Sequence, residues 1–590
     1  MTTTHDLAGL LSDAAGAAFA KLGLDAGLGA MRRSDRPDLA DFQCNGAMAA
    51  AKAAKKNPRE IAGAVVEALK GNALVASAEV AGPGFINVRV SADGLEERAE
   101  EIASDPRAGA HRVATSRRVV MDFGGWNVAK EMHIGHLRST VIGDSLQRLF
   151  RFLGDQVTSD VHLGDWGLQM GQLINEVRLE QPELPYFDPT FTGLYPQQSP
   201  VTMDDLGRLY PLASAKSKTD EARREEDRKA TAELQAGRPG YRALWRHFCN
   251  VTRVGLERVC ASLGVTFNLW KGESDAEPFI PEIVEDLKKR KIAEFNEGAW
   301  IVRVARESDK KEMPPIILVN MDGATGYHTS DLGTIIDRKR SIDPELSLYI
   351  VDQRQALHFE QVFRASDMAG YLPEATLEHL GFGTVNGPDG KPFKTRDGGV
   401  LKLHDLIAQA DATALARMKE AELGADVGEA ERKDIAHKVA VSAIKFSDLS
   451  NARTTNYTFD LDRFISFEGK TGPYLLYAMV RIKSLARRAA DEGVKPGKIA
   501  IELDAERALV LALDQFSDAL QGSYDKRMPH VLCDHAYSLA QAFSGFYAAA
   551  PILTETDAVK RASRFALALA TMKQLELALS LIGIEAPERM

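Results

Sequence analysis

Residues 119–140 read VVMDFGGWNVAKEMHIGHLRST, and this stretch decides the fold. The apolar run Val119–Phe123 predicts a short buried strand, and the Gly-Gly pair that follows predicts a turn. A helix is predicted from about Leu137 to Leu153, because the apolar side chains of this segment recur on one face. A strand, a turn and a helix in direct succession are typical of the first unit of a parallel sheet.

Strand and helix patterns continue to alternate further along the chain. Gln156–Val161 follows the first helix directly, and the strand-like runs Ile316–Asn320 and Leu346–Asp352 flank a helix near Leu332–Ile342. This alternation predicts a Rossmann-like, doubly wound parallel sheet. A long polar stretch with several prolines, residues 185–240, is predicted to be a surface insertion between the two halves of that sheet.

The remaining segments predict two further domains. The first hundred residues show two helical patterns and one alternating strand pattern, at Asp6–Leu22, Pro58–Leu69 and Gly84–Val90. From about residue 430 onward strand patterns fade, and four helices are predicted, at Ile435–Phe446, Pro473–Ala489, Ala505–Leu520 and Ala558–Leu581. The sequence therefore predicts a multidomain α/β protein, with a small α/β amino-terminal domain (1–112), a catalytic sheet domain (113–425) and an all-α carboxy-terminal bundle (426–590).

Composition limits the function classes. The chain has 590 residues, of which 45% are hydrophobic and 26% charged, as in ordinary globular proteins. No stretch approaches the ~20 apolar residues of a membrane span, and Met1–Gly9 lacks a secretion signal, so we expect a cytoplasmic protein without membrane contact. The four cysteines are scattered, so neither structural zinc nor another protein-bound metal is expected. The net charge of −10 does not indicate nucleic-acid binding, although local basic clusters can still bind phosphates.

The most informative motif is His133-Ile-Gly-His136, which lies between the first predicted strand and its helix. A helix N-terminus offers free N–H groups and the positive end of the helix dipole, which together favour a phosphate. Gly135 would let a flat base approach the backbone, and the histidines could donate hydrogen bonds to a phosphate in a transition state. Lys130 would add a positive charge. A chance tetrapeptide or two core histidines are the alternatives, which the strand–turn–helix context disfavours.

A second candidate is the segment Lys391-Pro-Phe-Lys-Thr-Arg396, which has glycines on both sides. A mobile loop that carries Lys391, Lys394 and Arg396 could close over a triphosphate and screen the departing pyrophosphate. The alternative is an ordinary solvated basic loop, and the histidine motif favours the first interpretation.

Taken together, these residues resemble the class I arginyl-tRNA synthetases. Residues 127–140 look like the first signature of that family, and similarity continues in the same order over nearly the whole chain. The other similar segments are residues 41–45, 82–87, 162–171, 272–275, 327–331, 352–358, 390–396, 467–474 and 583–590. One motif could be a coincidence, whereas this ordered set is specific.

Two positions depart from the family pattern. Lys391–Arg396 is a loose version of the second class I signature, and Lys130 is the residue expected to compensate for it. Trp126 stands where the family typically has proline before Asn127. A proline would restrict the backbone that leads into Asn127, and a tryptophan does not. We expect Trp126 to pack on the domain surface.

The resemblance implies an enzyme that uses ATP to join L-arginine to tRNA(Arg). Tyr327 and Asp331 would contact the guanidinium, a planar cation that carboxylates bind through paired hydrogen bonds. Asn127 and Gln355 would lie nearer the α-amino group, and Glu273 is a further acidic candidate. An exposed helix cap is the alternative role for Asp331, because it precedes a predicted helix.

The resemblance also implies the chemistry. The arginine carboxylate would attack the α-phosphate of ATP, and a ribose 2′-hydroxyl of the terminal tRNA adenosine would then accept the arginyl group. Mg²⁺ would accompany ATP, and efficient activation would require bound tRNA. The implied catalytic residues are Lys130, His133, His136, Lys391, Lys394 and Arg396, and the implied contacts of ATP are His133, Gly135, His136 and Lys394.

Candidates for tRNA contact lie in the two outer domains, and a monomer is expected by resemblance. They are Phe42, Gln43 and Asn45 for a base of the D-loop, and Tyr474, Tyr477, Arg481 and Lys483 for the anticodon loop. A core aromatic with polar neighbours in a turn is the alternative for the first group.

Three other functions are weighed against this one. The absence of zinc-type cysteine pairs disfavours a cysteine-specific class I synthetase, and Tyr327 with Asp331 favours a cationic substrate over glutamate. A regulatory paralogue without ligase activity is disfavoured by the intact Lys130, His133 and His136. A small-molecule nucleotidyltransferase would have no need of the long helical carboxy-terminal domain.

Overall fold

The computed structural model describes residues 6–321, 323–387, 389–391, 393 and 401–590. This part of the chain divides into two compact units. The first unit contains the described residues up to Ala114 together with Ala421–Lys438 and Ser466–Met590, and the second contains the described residues of Thr115–Glu420 and Val439–Ile465. The described amino-terminal segment and the carboxy-terminal segment therefore belong to one compact unit.

The amino-terminal part of the first unit is an antiparallel sheet with helices packed on it. Its strands, which lie in the order β1-β2-β4-β3, are β1 (Met31–Arg33), β2 (Phe42–Cys44), β3 (Val75–Ala81) and β4 (Phe85–Val90). Its helices are α1 (Leu7–Lys21), α2 (Gly46–Ala54), α3 (Pro58–Leu69) and α4 (Ala92–Ser104). The three elements predicted here from the sequence are confirmed. Helix α3 begins at its proline because the side chain of Asn57 accepts a hydrogen bond from the N–H of Arg59.

The second unit is organised around a parallel sheet. The strands of this unit are β5 (Arg118–Phe123), β6 (Gln156–Leu163), β7 (Leu269–Gly272), β8 (Glu294–Asn296), β9 (Ala299–Val302), β10 (Ile316–Val319), β11 (Leu346–Ile350), β12 (Leu377–His379), β13 (Val385–Asn386) and β14 (Tyr457–Thr458). Five of them form one parallel sheet in the order β12-β11-β5-β6-β7. The predicted Rossmann-like sheet is thus confirmed, with β5 at its centre.

One predicted strand belongs to a different sheet. The run predicted at Ile316–Asn320 forms β10, but β10 pairs in antiparallel fashion with β9, in a separate three-stranded sheet of order β10-β9-β8. The burial pattern gives the physical reason. Side chains of β10 alternate between buried and exposed, whereas every residue of the central strand β11 is buried. A half-exposed strand suits a small antiparallel sheet rather than the middle of a parallel one.

The helices of the second unit that precede residue 421 connect these strands. They are α5 (Ile134–Leu153), α6 (Leu168–Glu180), α7 (Met203–Thr219), α8 (Glu221–Gln235), α9 (Pro239–Ser262), α10 (Glu273–Ala276), α11 (Ile280–Lys289), α12 (Tyr327–Ser341), α13 (Ala356–Ala369) and α14 (Leu403–Glu420). Helix α12 begins five residues before the predicted start at Leu332, because Gly326 serves as its N-cap. Asp331 is therefore the fifth residue of the helix, and the alternative role as a helix cap is wrong.

The predicted surface insertion is a packed pair of helices, α7 and α8, that lie against α6. Leu206, Leu209 and Leu234 are completely or almost completely buried there. A buried ionic network also joins these helices, since Arg223 of α8 pairs with Glu176 of α6 at 2.6 Å. The insertion is thus part of the core of its unit, which its polar composition concealed.

The carboxy-terminal segment is almost entirely helical. Its helices are α15 (Glu429–Leu449), α16 (Leu461–Phe464), α17 (Gly472–Asp491), α18 (Asp504–Asp514), α19 (Phe516–Lys526), α20 (His530–Ala549) and α21 (Ala558–Leu581). The single helix predicted at Ala505–Leu520 is two helices that meet at Gln515, and α20 has no counterpart among the predicted helices. Among the described helices, none has both the length and the apolar composition that a membrane span requires.

Buried ion pairs connect distant parts of each unit. In the first unit, Nε of Arg98 in α4 lies 2.7 Å from Oδ1 of Asp514 in α18, and both side chains are buried. In the second unit, Lys445 of α15 pairs with Asp144 of α5 at 3.1 Å, again with both side chains buried. A charge in the interior is stable only when it is paired, so each pair fixes the two helices that carry it.

Candidate active site

The two histidines of the first motif form a reciprocal cap at the start of α5. Nδ1 of His133 accepts a hydrogen bond from the N–H of Gly135 at 3.1 Å, and Nδ1 of His136 accepts one from the N–H of His133 at 3.2 Å. A neutral imidazole that accepts at Nδ1 carries its proton on Nε2. Both rings therefore keep an Nε2–H group as a donor, with ring centres 3.8 Å apart.

Both histidines are held in the neutral form. Burial lowers the pKa of His136 to about 3, and the neighbouring His133 and Lys130 act in the same direction. Burial, followed by Lys130, also lowers the pKa of His133. Near neutral pH the rings thus supply directed N–H donors, while positive charge comes from Lys130 and from the N-terminal end of the helix.

The turn before these histidines is fixed from two sides. The N–H of Val128 donates to the carbonyl of Gly164 at 3.0 Å, and the N–H of Gly164 donates to the carbonyl of Trp126 at 2.8 Å. Ala129 adopts a left-handed conformation with φ of 65°, and its N–H donates to Oγ1 of Thr252 at 3.0 Å. A non-glycine residue in this conformation is strained, so the surrounding bonds must hold it.

Trp126 lies in the core, which corrects the expectation of a surface position. Only 1% of the residue is exposed, and its ring packs against Phe267 and Trp270, with centroids 5.6 and 5.9 Å away. Asn127 follows directly, and a Cβ atom on Gly164 would lie 2.4 Å from its Oδ1. The missing side chain of Gly164 therefore makes room for the Asn127 amide, and the buried tryptophan anchors the backbone next to it.

The acidic candidates meet at the carboxyl ends of the parallel strands, where ligands bind in sheets of this kind. Glu273 follows β7 directly, and Asp165 follows β6 by two residues. Burial raises the pKa of Glu273 to about 7, the carboxylates of Asp165 and Asp331 act in the same direction, and His162 opposes them. Burial also raises the pKa of Asp165 to about 6, although the N–H and Oγ of Ser274 donate to it. Three carboxylates thus share one small region.

Helix α12 carries the other two groups expected to bind arginine. Oδ2 of Asp331 lies 2.5 Å from Nε2 of His358, and its Oδ1 lies 4.0 Å from Nε2 of His162. Tyr327 at the helix start is 65% exposed, and burial, followed by Glu273, raises the pKa of its hydroxyl. Glu273 is thus coupled electrostatically to both Asp331 and Tyr327.

A buried arginine sets the position of α12 on the sheet. The guanidinium of Arg338 donates from one terminal nitrogen to Asp122 of β5 at 2.7 Å and to Asp160 of β6 at 2.9 Å. All three side chains are buried. The helix that presents Tyr327 and Asp331 is thereby fixed to the neighbouring strands β5 and β6 of the sheet.

The remaining expected ligands of arginine lie at the same edge of the sheet. Asn127 pairs with Gly164 just beyond the end of β6. Gln355 is exposed and ends a short 3₁₀ turn that follows β11. The sequence pattern did not assign a role to Asp165, His162 or His358. Each lies after the end of a predicted strand, and that position is the signal that could have identified them.

The basic loop is described only in part. Lys391 is exposed, and its carbonyl accepts a hydrogen bond from the N–H of Gly387 at 2.8 Å. Lys394 and Arg396 lie outside the described residues. Where the description resumes, the N–H of Ile134 donates to the carbonyl of Leu401 at 3.0 Å, and the N–H of Leu403 donates to that of Met132 at 2.8 Å. The end of the loop is thus bonded to the backbone on either side of His133.

The amino-terminal candidates for tRNA contact differ in exposure. Phe42 is only 1% exposed and packs beneath the guanidinium of Arg33 at 5.2 Å, so its ring is part of the core and presents no face to a base. Gln43 is half-buried and donates to Oδ1 of Asn87 at 2.9 Å, and Asn45 is exposed. Gln43 and Asn45 are the members of this group that a nucleotide could reach.

The carboxy-terminal candidates form a mixed aromatic and basic surface. Tyr474 lies 5.5 Å from Tyr537, measured between ring centres, and the guanidinium of Arg481 lies 4.1 Å above the ring of Tyr547. Tyr537 and Tyr547 belong to α20, so the sequence reasoning missed them together with that helix. Lys483 is buried and pairs with two glutamates, which removes it from the surface. Tyrosines and arginines of this kind stack well on single-stranded bases.

Known proteins match nearly the whole chain in sequence. The family model of the class I (R) tRNA synthetase catalytic domain matches residues 100–461, that of the arginyl-tRNA synthetase N-terminal domain matches residues 6–90, and that of the DALR anticodon binding domain matches residues 475–590. The chain is 63% identical over 586 residues to the arginine–tRNA ligase of Hyphomonas neptunium, which covers 99% of this chain and 100% of that protein. It is 60% identical over 585 residues to the arginine–tRNA ligase of Maricaulis maris, with the same coverage.

Solved structures share the fold. The arginyl-tRNA synthetase of Thermus thermophilus matches with a TM-score of 0.79 and 22% identity, over 99% of this chain and 100% of that one. The enzyme of Plasmodium falciparum matches with a TM-score of 0.78 and 24% identity, over 95% of this chain and 94% of that one.

Proposed function

The chain belongs to the class I arginyl-tRNA synthetases, and from this premise we propose how its residues divide the work of the reaction. The enzyme activates L-arginine with ATP to arginyl-adenylate and transfers the arginyl group to the terminal adenosine of tRNA(Arg). This reaction supplies arginyl-tRNA for protein synthesis.

The observation that carries the arginine assignment is the group of three carboxylates at the edge of the sheet. Burial first, and then the carboxylates of Asp165 and Asp331, make ionisation of Glu273 costly, as its raised pKa indicates. A guanidinium placed among them would remove that cost, because it stays charged and offers five donors in a rigid plane. Asp331 and Tyr327 would bind the guanidinium, with Glu273 as a further acidic contact.

Asn127 and Gln355 would bind the α-amino end of arginine. Both lie at the carboxyl ends of central strands, on the edge that also holds the acidic group. This orientation would leave the arginine carboxylate free to attack the α-phosphate of ATP, and the bond from that phosphorus to the bridging oxygen would break to release pyrophosphate. Positioning of the two reactants supplies much of such a rate enhancement.

The histidine cap and the basic residues would stabilise the transition state. The Nε2–H groups of His133 and His136 would donate to phosphate oxygens as charge develops there, next to the N-terminal end of α5. Lys130 would add a positive charge, and Gly135 would let the adenine approach the backbone. The loop residues Lys391, Lys394 and Arg396 would screen the pyrophosphate, with Lys394 also in contact with ATP. Mg²⁺ would arrive with ATP, since phosphate oxygens and water are its preferred ligands.

In the second step the 2′-hydroxyl of the terminal adenosine would attack the adenylate carbonyl and release AMP. The amino-terminal domain (1–112) would contact the D-loop through Gln43 and Asn45, and the helical domain (426–590) would contact the anticodon loop through Tyr474, Tyr477 and Arg481. The catalytic domain (113–425) would hold both reactions. We propose that the enzyme acts as a monomer in the cytoplasm.

Pyrophosphate exchange tests the proposal directly. The rate at which labelled pyrophosphate enters ATP would be measured with each amino acid in turn, with and without bulk tRNA. Exchange with arginine but not with lysine, and only in the presence of tRNA, is expected. Equal exchange with lysine would show that the acidic group binds any cationic side chain of this length. That result would overturn the assignment of Asp331 and Tyr327 to the guanidinium.

A further inference from the structure

One face of the insertion helix α7 follows the backbone turn that carries Lys130. The ring centroid of Tyr210 lies 5.0 Å from Nζ of Lys130. One turn earlier on the same helix, a Cβ atom on Gly207 would lie 3.5 Å from Oε2 of Glu131. Residues three apart on a helix share a face, so a single stripe of α7 faces Lys130 and Glu131 in succession.

The same stripe reaches the end of the basic loop. Glu131 pairs with Lys402 at 2.5 Å, and the pKa of Lys402 is raised chiefly by this contact, with a smaller contribution from Asp204 of α7. Lys402 lies next to Leu401, whose carbonyl bonds to the backbone after His133. Helix α7 is therefore adjacent to the turn that carries Lys130 and to Lys402, just after the point where the description resumes.

Helix α7 is itself held firmly. Its N-terminus has a reciprocal cap between Thr202 and Asp205, and the face beside the Gly207–Tyr210 stripe buries Leu206 and Leu209. Lys216 near its end pairs with the buried Glu176 of α6 at 3.0 Å. A ring presented from such a helix has a defined position, whereas the four-carbon side chain of Lys130 is flexible on its own.

Tyr210 also lies near the arginine side of the site. The pKa of the Tyr327 hydroxyl is raised first by burial, then by Glu273, and then by Tyr210. A cation over an aromatic face is attracted by the negative charge density of the ring. The ring of Tyr210 is therefore placed to restrict the ammonium of Lys130 to one part of the site, close to where arginine and ATP would meet.

We propose that Tyr210 is a positioning residue for adenylate formation, and that its ring holds the Lys130 ammonium in the place where the phosphates of ATP need it. The inference rests on the role of Lys130 set out under the proposed function. The proposal assigns a function to the insertion, because its helix α7 would line the catalytic site. The Tyr210 ring acts through Lys130 and requires no contact with the substrates.

A double-mutant cycle tests this inference. The maximal rate of arginine-dependent pyrophosphate exchange would be measured, with saturating substrates and tRNA, for Tyr210→Leu, Tyr210→Phe, Lys130→Met and the double variant Lys130→Met/Tyr210→Leu. Tyr210→Leu should lower the rate about tenfold and Tyr210→Phe far less, because phenylalanine keeps the ring face. In the Lys130→Met background, Tyr210→Leu should have no further effect, because the two residues act as one unit. Leu212→Ala, an exposed position on the same helix, is the matched control and should leave the rate unchanged.

The outcomes distinguish the role of Tyr210 from the role of Lys130. The same fold loss from Tyr210→Leu in both backgrounds would overturn the inference, since the tyrosine would then act independently of Lys130. A large loss from Lys130→Met with no loss from Tyr210→Leu would also overturn it, while the role of Lys130 would stand. An unchanged rate in Lys130→Met would instead overturn the proposed role of Lys130. A melting temperature measured for each variant separates loss of folded protein from loss of rate.

Discussion

Nε2 of His358 lies 2.5 Å from Oδ2 of Asp331, so the carboxylate assigned to the guanidinium already has one hydrogen-bond partner within the protein. An ionised carboxylate accepts about four hydrogen bonds, and one imidazole leaves room for a guanidinium. The histidine thus holds the carboxylate in a fixed orientation and does not block it.

Replacement of this carboxylate tests the arginine pocket. Asp331→Asn should raise the KM for arginine about 10- to 100-fold, because hydrogen bonds to a charged group contribute roughly 1.5–3 kcal/mol. The KM for ATP should change little. Ser330→Ala, at the preceding position of α12, is the matched control, and a comparable rise in that variant would show that the helix rather than the carboxylate was disturbed.

The affinity for arginine should depend on pH through Glu273. Its pKa of about 7 in the folded enzyme means that the group is about half protonated at neutral pH. A bound cation favours the ionised form, so the KM for arginine should fall as the pH rises from 6 to 8 and then level off. The free enzyme shows the opposite trend in stability. Between about pH 4.5 and pH 7, the Glu273 carboxyl keeps its proton in the folded state and loses it in the unfolded state. Its contribution therefore lowers the free energy of unfolding as the pH rises through this range.

Measurement of the arginine KM at several pH values checks this expectation. Glu273→Gln should remove the dependence, because glutamine does not titrate. A wild-type KM that stays constant between pH 6 and 8 would mean that Glu273 does not interact with the substrate cation.

The two roles of His136, as a cap and as a phosphate donor, can be separated. His136→Ala should lower the rate of adenylate formation about 100-fold or more, which is typical for loss of a preorganised donor, while tRNA binding stays nearly intact. His136→Asn keeps a short acceptor for the N–H of His133 but lacks the Nε2–H group. It should therefore lose rate to a similar degree while retaining stability.

Stopped-flow adenylate formation, tRNA binding and thermal unfolding of the two variants provide the check. A wild-type rate in His136→Asn would indicate that only the cap matters. Equal loss of tRNA binding in His136→Ala would refute the assignment to the phosphate.

Trp126 should matter for stability and for arginine binding together. Trp126→Ala would leave a cavity beside Phe267 and Trp270 and should lower the free energy of unfolding by about 3–5 kcal/mol. The KM for arginine should rise as well, because the backbone of Asn127 follows directly. Trp126→Phe should keep much of both properties. Urea unfolding and exchange kinetics measure the two effects, and a stable alanine variant with normal kinetics would contradict the anchoring role.

Local patterns in the sequence were enough to predict the central sheet and the histidine motif. Val119–Phe123 is a largely apolar run, and the helix after it has a clear apolar face. Each element can therefore be recognised from a few consecutive residues. The strand at Ile316–Asn320 was placed in the wrong sheet because periodicity identifies a strand and says nothing of its partner. Strand β7 was missed because its four residues, Leu-Trp-Lys-Gly, form neither an apolar run nor a clear alternation.

The candidate site was predictable where a motif names its residues and not where residues meet across the fold. Lys130, His133 and His136 lie within seven positions of one another, and a capped helix needs only local contacts. The pairing of His358 with Asp331 joins two helices, and the contact of Tyr210 with Lys130 joins the insertion to the motif. Such contacts depend on packing, which the order of residues in one segment does not reveal.

Arg98 and Asp514 are separated by 416 positions, and this separation affects how the protein folds while it is being synthesised. A ribosome adds roughly 5–20 residues per second, so about 20 to 80 s pass between the synthesis of the two partners. During that interval the nascent amino-terminal part has no buried counter-charge for Arg98. It completes its packing only when translation is nearly finished, and a chain that stops short of α18 would keep that surface open to chaperones and proteases.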